Sequence, residues 1–207
     1  MSRIPKIAYG FVCALVLAQL ILLNWKHQGV WLDSESLWRH AIKHNPQARD
    51  AHLNLSAALF DQERYEEALD AARIAVQLRP SHYKSHWNMG MTLNRLKRYA
   101  EAESSFHRAF DKTVKMRDAP HVLQGLAFSL IQQEKWEEAL DITQQVLVLD
   151  PELPVVWANL GGIYGSLGRY QEAVEAFDRA LALDPTDEDA RQNRAAVLEA
   201  LRQQQEE

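Results

Sequence analysis

The chain has 207 residues, 47% of them hydrophobic and 25% charged, with a formal net charge of -5. That balance suits one globular domain of moderate size, and the acidic sum argues against the clustered basic face that nucleic acid requires. Cys13 is the single cysteine, so one chain cannot build a disulfide framework or a thiolate metal site. Sparse glycine (8) and proline (7) beside plentiful Ala, Leu, Glu, Gln and Arg point to an all-α protein.

The first expected element runs from Ile7 to Leu23, 17 residues without a formal charge. As a helix it rises roughly 25 Å, slightly less than a ~30 Å hydrocarbon core. Snorkelling of Lys6 and Lys26 and the interfacial ring of Trp25 cover the difference. The segment therefore reads as a transmembrane anchor over residues 1–26, in contact with the lipid bilayer through residues 7–23. The rival reading is a cleaved signal peptide, although no small-x-small site follows Leu23. Arg3 and Lys6 precede the apolar run, and Lys26, Arg39 and Lys43 follow it with Asp33 and Glu35 between. Positive charge is thus nearly balanced. A short basic tail on the cytoplasmic side would place the remainder in the periplasm or a lumen.

The rest of the chain repeats itself. Tyr65, Tyr99, Trp136 and Tyr170 are spaced by 34, 37 and 34 residues. Ala68, Ala102, Ala139 and Ala173 keep the same intervals, as do Ala75, Ala109, Val146 and Ala180. Pro46 to Pro80 and Pro151 to Pro185 are each 34 apart, and the interval of 37 reflects three extra residues near Arg117 to Ala119. Small residues such as Ala68 and Gly90 suit close helix crossings, while the prolines end one helix and break the chain into the next unit.

In this register the sequence resembles the tetratricopeptide repeat, a 34-residue pair of antiparallel helices. Trp157, Leu160, Gly161, Tyr164, Ala173, Phe177, Ala180 and Pro185 stand at its signature positions. The expected chain is therefore the N-terminal transmembrane helix read from the apolar run, followed by the right-handed solenoid of helix-turn-helix pairs that the resemblance implies. Residues 27–48 form a half repeat, because Trp31, Ser34, Trp38, Ala41 and Pro46 lie one period before their counterparts. Full repeats follow at 49–82, 83–116, 120–153 and 154–187. Residues 188–207 form a capping helix, with Arg191, Gln192 and Arg194 on the polar face that an open solenoid needs.

The resemblance also implies a concave groove lined by the first helix of each pair. Its sixth positions are Asn54, Asn88, Gly125, Asn159 and Asn193. An asparagine row can hydrogen-bond an extended peptide backbone, and a similar ladder occurs in O-GlcNAc transferase. An equally available reading is that Asn is simply common before the Leu-Gly pair. The fifth, ninth and twelfth positions supply Leu53, Ala57, Phe60, Trp87, Met91, Phe128 and Ile131, then Ala158, Gly162 and Gly165. The groove is therefore expected to be apolar and aromatic early and smooth late, unless Trp87 or Phe60 fills a seam between repeats. Leu53 and Ala57 stand where a chaperone-tail clamp needs Lys and Asn, so heat-shock carboxylate tails are not the expected ligand.

No catalytic constellation, cofactor motif or small-molecule site accompanies this pattern. His40 with His44 and His82 with His86 have i,i+4 spacing but no third ligand in register, and read as structural. The stretch Val30 to Ala41, running into Asn45-Pro46 and Ala51 to Leu55, resembles the passage from membrane helix to first repeat in multi-spanning tetratricopeptide O-mannosyltransferases. The expected function is a non-enzymatic, membrane-anchored scaffold for a protein or extended peptide. The alternative is an acceptor-binding arm associated with a membrane glycosyltransferase.

Overall fold

The computed structural model describes residues 34–112 and 119–206, which fold into ten helices with no strand among them. They are α1 (Ser34–His44), α2 (Arg49–Asp61), α3 (Tyr65–Leu78), α4 (Tyr83–Arg95) and α5 (Tyr99–Asp111). After them come α6 (Ala119–Ile131), α7 (Trp136–Leu149), α8 (Pro154–Ser166), α9 (Tyr170–Leu183) and α10 (Glu188–Glu206). The expected anchor, Trp31 and part of the three-residue insertion lie outside the described residues. Among the described ones no helix is long and apolar enough to cross a membrane.

Each helix packs on the next, and first helices of consecutive pairs also touch: α2 on α4, α4 on α6, α8 on α10. This is a helical-repeat solenoid, in which stacking supplies a core that no single pair could bury. The period-marking aromatics Tyr65, Tyr99, Trp136 and Tyr170 each begin a second helix. Ala68, Ala102, Ala139 and Ala173 are fully buried one turn later, where the helices of a pair cross.

Every hairpin turn has the same construction. Glu63, Lys97, Glu134 and Gly168 take positive φ values of 60°, 59°, 57° and 71°. The residue after each one donates its N–H to the carbonyl five positions back, as in Arg64 to Leu59 at 3.0 Å and Arg169 to Tyr164 at 2.9 Å. This left-handed helix stop satisfies carbonyls that the helix end leaves open. Only the last repeat places glycine there. A side chain in this conformation costs roughly 1–2 kcal/mol, partly offset by glycine's greater entropy in the unfolded chain. Glu134→Gly should therefore raise stability by about 0.5–1 kcal/mol, and Gly168→Ala should lower it by a similar amount. Urea midpoints of the two variants check both signs.

Units are tied together by contacts that recur in register. The ring nitrogens of His52 and His86 lie 3.0 and 2.9 Å from the carbonyls of Pro46 and Pro80. Trp157 donates to Pro151 O at 2.8 Å and Arg191 to Pro185 O at 2.7 Å, each again six residues back. These groups fasten the start of a first helix to the proline turn that follows the preceding second helix. Arg194 likewise donates to Asp178 of α9, so the polar face of α10 ties the cap to the solenoid as well as solvating it.

In the four full repeats the residue preceding the second helix is a cation, and its partner depends on the neighbouring repeat. Arg98 and Arg169 pair with Glu101 and Glu172 in their own first turn. Arg64 also reaches Glu35 of α1 at 2.6 Å, and Lys135 reaches Glu103 of α5 at 2.8 Å. Burial opposes ionisation of Glu103, but hydrogen bonds from Lys135 and Gln133 outweigh it and hold its carboxyl below the ordinary 4.5. The pair's contribution is then fully present above pH 4.5 and is lost as pH falls through the lower folded value. Lys135→Met should flatten that acid limb in melting curves from pH 3 to 7. At neutral pH it should cost under about 1 kcal/mol, since Lys135 is partly solvated.

Candidate peptide-binding groove

The first helices α2, α4, α6 and α8 carry the residues expected to line the groove, and the turns and proline ties described above fix their order. Two adjoining cavities run along this side. The smaller, about 250 Å³, is lined by Phe60, Asp61, Trp87, Asn88 and Met91 among others. The larger, about 440 Å³, shares Phe60, Trp87 and Met91 and continues over Arg95, His121, Gln124, Phe128, Val155 and Asn159. Trp87 thus stands at the junction, and it also borders a third depression with Lys84 and His121.

Both alternatives for the aromatics apply at once. Trp87 is half-buried against the central core cluster yet lines the groove, and its indole N–H has no acceptor among the described residues. Phe60 packs on the N-terminal core cluster and meets Tyr65 edge-on at 5.5 Å between centroids. Phe128 remains 44% exposed, steadied by an edge-on contact with Tyr99 of the preceding repeat at 6.3 Å. Met91 bridges the two cavities. The structure therefore brings Phe60, Trp87, Asn88, Met91, Phe128 and Asn159 into one surface.

Leu53, Asn54, Ile131 and Asn193 do not line these two cavities. Ile131 packs against the central core. Leu53 contributes its backbone carbonyl, which accepts a 3.3 Å hydrogen bond from the Asn88 side chain. One donor of the asparagine row is therefore spent on joining α4 to α2. Asn159 and Asn193 are exposed.

The gap in the row at Gly125 has a packing cause. A Cβ on Gly125 would lie 2.5 Å from the Phe106 ring, and one on Gly90 would lie 2.9 Å from it. Phe106 is fully buried and occupies the crossing of α4 and α6 on α5. The bare α6 backbone is then held by Asn94, whose amide donates to Gly125 O at 3.2 Å and accepts from Ser129 at 2.9 Å. Further along, a Cβ on Gly162 would meet open space, and one on Gly165 would lie 3.4 Å from the Val197 side chain of α10.

Residue-by-residue reading of the sequence missed Arg95, His121, Gln124 and Val155. Gln124 occupies the fifth position of its unit, and Lys84, His121 and Val155 the second, which the repeat family also turns to its groove, so that signal was present. Arg95 sits one place beyond the last groove position, at the end of α4. Its guanidinium lies 5.7 Å from the centroids of both the Phe60 and Tyr65 rings. Of the histidine pairs, His40 and His44 rest with ring centroids 4.4 Å apart, and His82 lies 3.3 Å from Ser85 Oγ.

Comparison with known proteins agrees with this architecture. The family described as tetratricopeptide repeat protein 21 C-terminal ARM domain matches residues 36–158, and a tetratricopeptide-repeat family matches residues 126–198. The chain is 28% identical over 193 residues to the protein O-mannosyl-transferase TMTC3 of Mus musculus, covering 87% of this chain and 20% of that protein. It is 25% identical over 164 residues to the BBSome complex member BBS4 of Bos taurus, covering 79% of this chain and 31% of that one. The chain thus spans a third or less of these curated relatives. Among solved structures, YrrB, "a TPR protein with an unusual peptide-binding site", superposes with a TM-score of 0.67 at 21% identity, covering 77% of this chain and 81% of that one. A MamA double mutant gives a TM-score of 0.69 at 18% identity, covering 84% and 96%. At those identities the structural likeness speaks for the fold alone. The residues, the turns and the family matches together establish that this chain belongs to the tetratricopeptide-repeat family.

Proposed function

We propose that this chain is a membrane-anchored scaffold whose concave groove holds a segment of another protein. The observation that carries the reading is the continuous surface in which Trp87 links two cavities walled by Phe60, Met91 and Phe128. Aromatic anchors in a concavity concentrate binding energy, and polar neighbours such as Asn88, Gln124 and Asn159 can orient a peptide backbone. The apolar run Ile7 to Leu23 supports an anchor, with the repeats on the periplasmic or lumenal side. No residue constellation in the groove supports catalysis by the chain itself.

The matches to O-mannosyl-transferases favour a second reading. They span 67–88% of this chain and no more than 20% of those transferases. On this reading the repeats present polypeptide acceptors to a membrane glycosyltransferase. Isolation of the full-length chain from native membranes, as wild type and Phe128→Ala, tests both. Loss of one polypeptide from the variant supports the groove, and a co-purifying multi-spanning transferase selects the second reading. Identical companions in both preparations contradict the groove.

A further inference from the structure

The charge of the groove departs from that of the chain. The protein carries a net -5, yet Arg95 lines the larger groove cavity and Lys84 the depression that adjoins it at Trp87, with Asp61 the acid at the groove's other end. Many arginines of the solenoid are neutralised, as where Arg64, Arg98 and Arg169 each hold a carboxylate, whereas Arg49, Arg79 and Arg108 have no ion pair among the described residues but line neither groove cavity. Arg95 holds no carboxylate among the described residues. It rests instead near the faces of Phe60 and Tyr65, both at 5.7 Å. Aromatic faces position a guanidinium without using its N–H donors, which stay available as a planar fork matched to a carboxylate.

We propose that the groove selects an extended acidic peptide, in which an Asp or Glu pairs with Arg95 and a neighbouring large apolar side chain rests on Trp87, Met91 and Phe128. All four residues line the same cavity of about 440 Å³. Met91 and Trp87 stand about one and two turns before Arg95 on α4, a rise of roughly 6 and 12 Å. An extended strand advancing roughly 3.3 Å per residue covers their mean in about three positions. Charge sets the choice of peptide, and the aromatic wall supplies most of the affinity. The inference rests on the groove reading above and adds the chemistry of its occupant.

The test is selection from a random dodecapeptide phage library on the purified full-length chain, scored for sequences that fail to bind Phe128→Ala. The expected result is enrichment of Asp or Glu within three positions of Trp, Phe or Leu. A synthetic peptide of that pattern should bind Arg95→Glu at least tenfold more weakly, with Arg95→Gln intermediate. Library selection on Arg95→Glu should replace the acid by Lys or Arg. Phe128-dependent sequences without acidic enrichment would overturn the acidic selection and leave the groove reading standing. If no Phe128-dependent sequence emerges, the groove reading itself fails, and this inference fails with it.

Discussion

Replacing Phe106 with alanine should lower the stability of the solenoid by about 3–5 kcal/mol, the range for removing a fully buried aromatic side chain. The ring is wholly enclosed and lies against the glycine-bared backbones of α4 and α6, so its loss opens a cavity between two repeats. Neighbouring helices of a solenoid have few other contacts with which to collapse into that space. Gly125→Asn probes the same contact from the opposite side. It extends the asparagine row but drives a Cβ to 2.5 Å from the ring, and overpacking of this kind costs roughly 1–3 kcal/mol. Residues in contact couple, so in a Phe106→Ala background the asparagine should cost much less. Urea unfolding followed by far-UV circular dichroism measures all three variants. A loss below about 1 kcal/mol for Phe106→Ala would mean that the packing between repeats is not as described.

Trp87→Ala should have the largest effect on partner binding, a loss of thirtyfold or more, corresponding to a hot spot of at least ~2 kcal/mol. That variant also costs stability, because Trp87 packs on the central core as well as lining the groove. Adding Asn88→Ala removes the hydrogen bond to Leu53 and compounds the structural loss. Phe128→Ala separates the two roles: at 44% exposure it should weaken binding about tenfold with under ~1 kcal/mol lost from the fold. Titration calorimetry of the selected peptide, beside thermal melts, checks both quantities. Equal affinity for wild type and Trp87→Ala would place the binding surface elsewhere.

Much of the fold is legible in the sequence because the repeat is a local instruction given several times. Tyr65, Tyr99, Trp136 and Tyr170 mark the first residues of four helices, and buried alanines follow each at a fixed offset. The turns are only partly legible. Gly168 announces a left-handed residue, whereas Glu63, Lys97 and Glu134 adopt the same conformation without a sequence signal, because the two helices they join over-determine it. Groove residues such as Trp87, Met91 and Phe128 could be named once the resemblance to the tetratricopeptide repeat supplied the groove positions. Contacts between units could not. That Phe106 demands Gly125, that Asn88 is engaged by Leu53, and that Arg95 lies beside two rings all depend on distances across repeats.

The central claim is that the concave side, and not the outer side, holds another protein. Site-specific photo-crosslinking of the full-length chain in native membranes tests it most directly. The probe is placed at position 128 in the groove and, as a control, at position 74 on α3, where Ile74 is 39% exposed outside the two groove cavities. One dominant polypeptide captured from position 128, absent from position 74 and lost with Trp87→Ala, is the predicted result. Capture from position 74 with none from position 128 would contradict the account and make the repeats a spacer that binds through their outer helices.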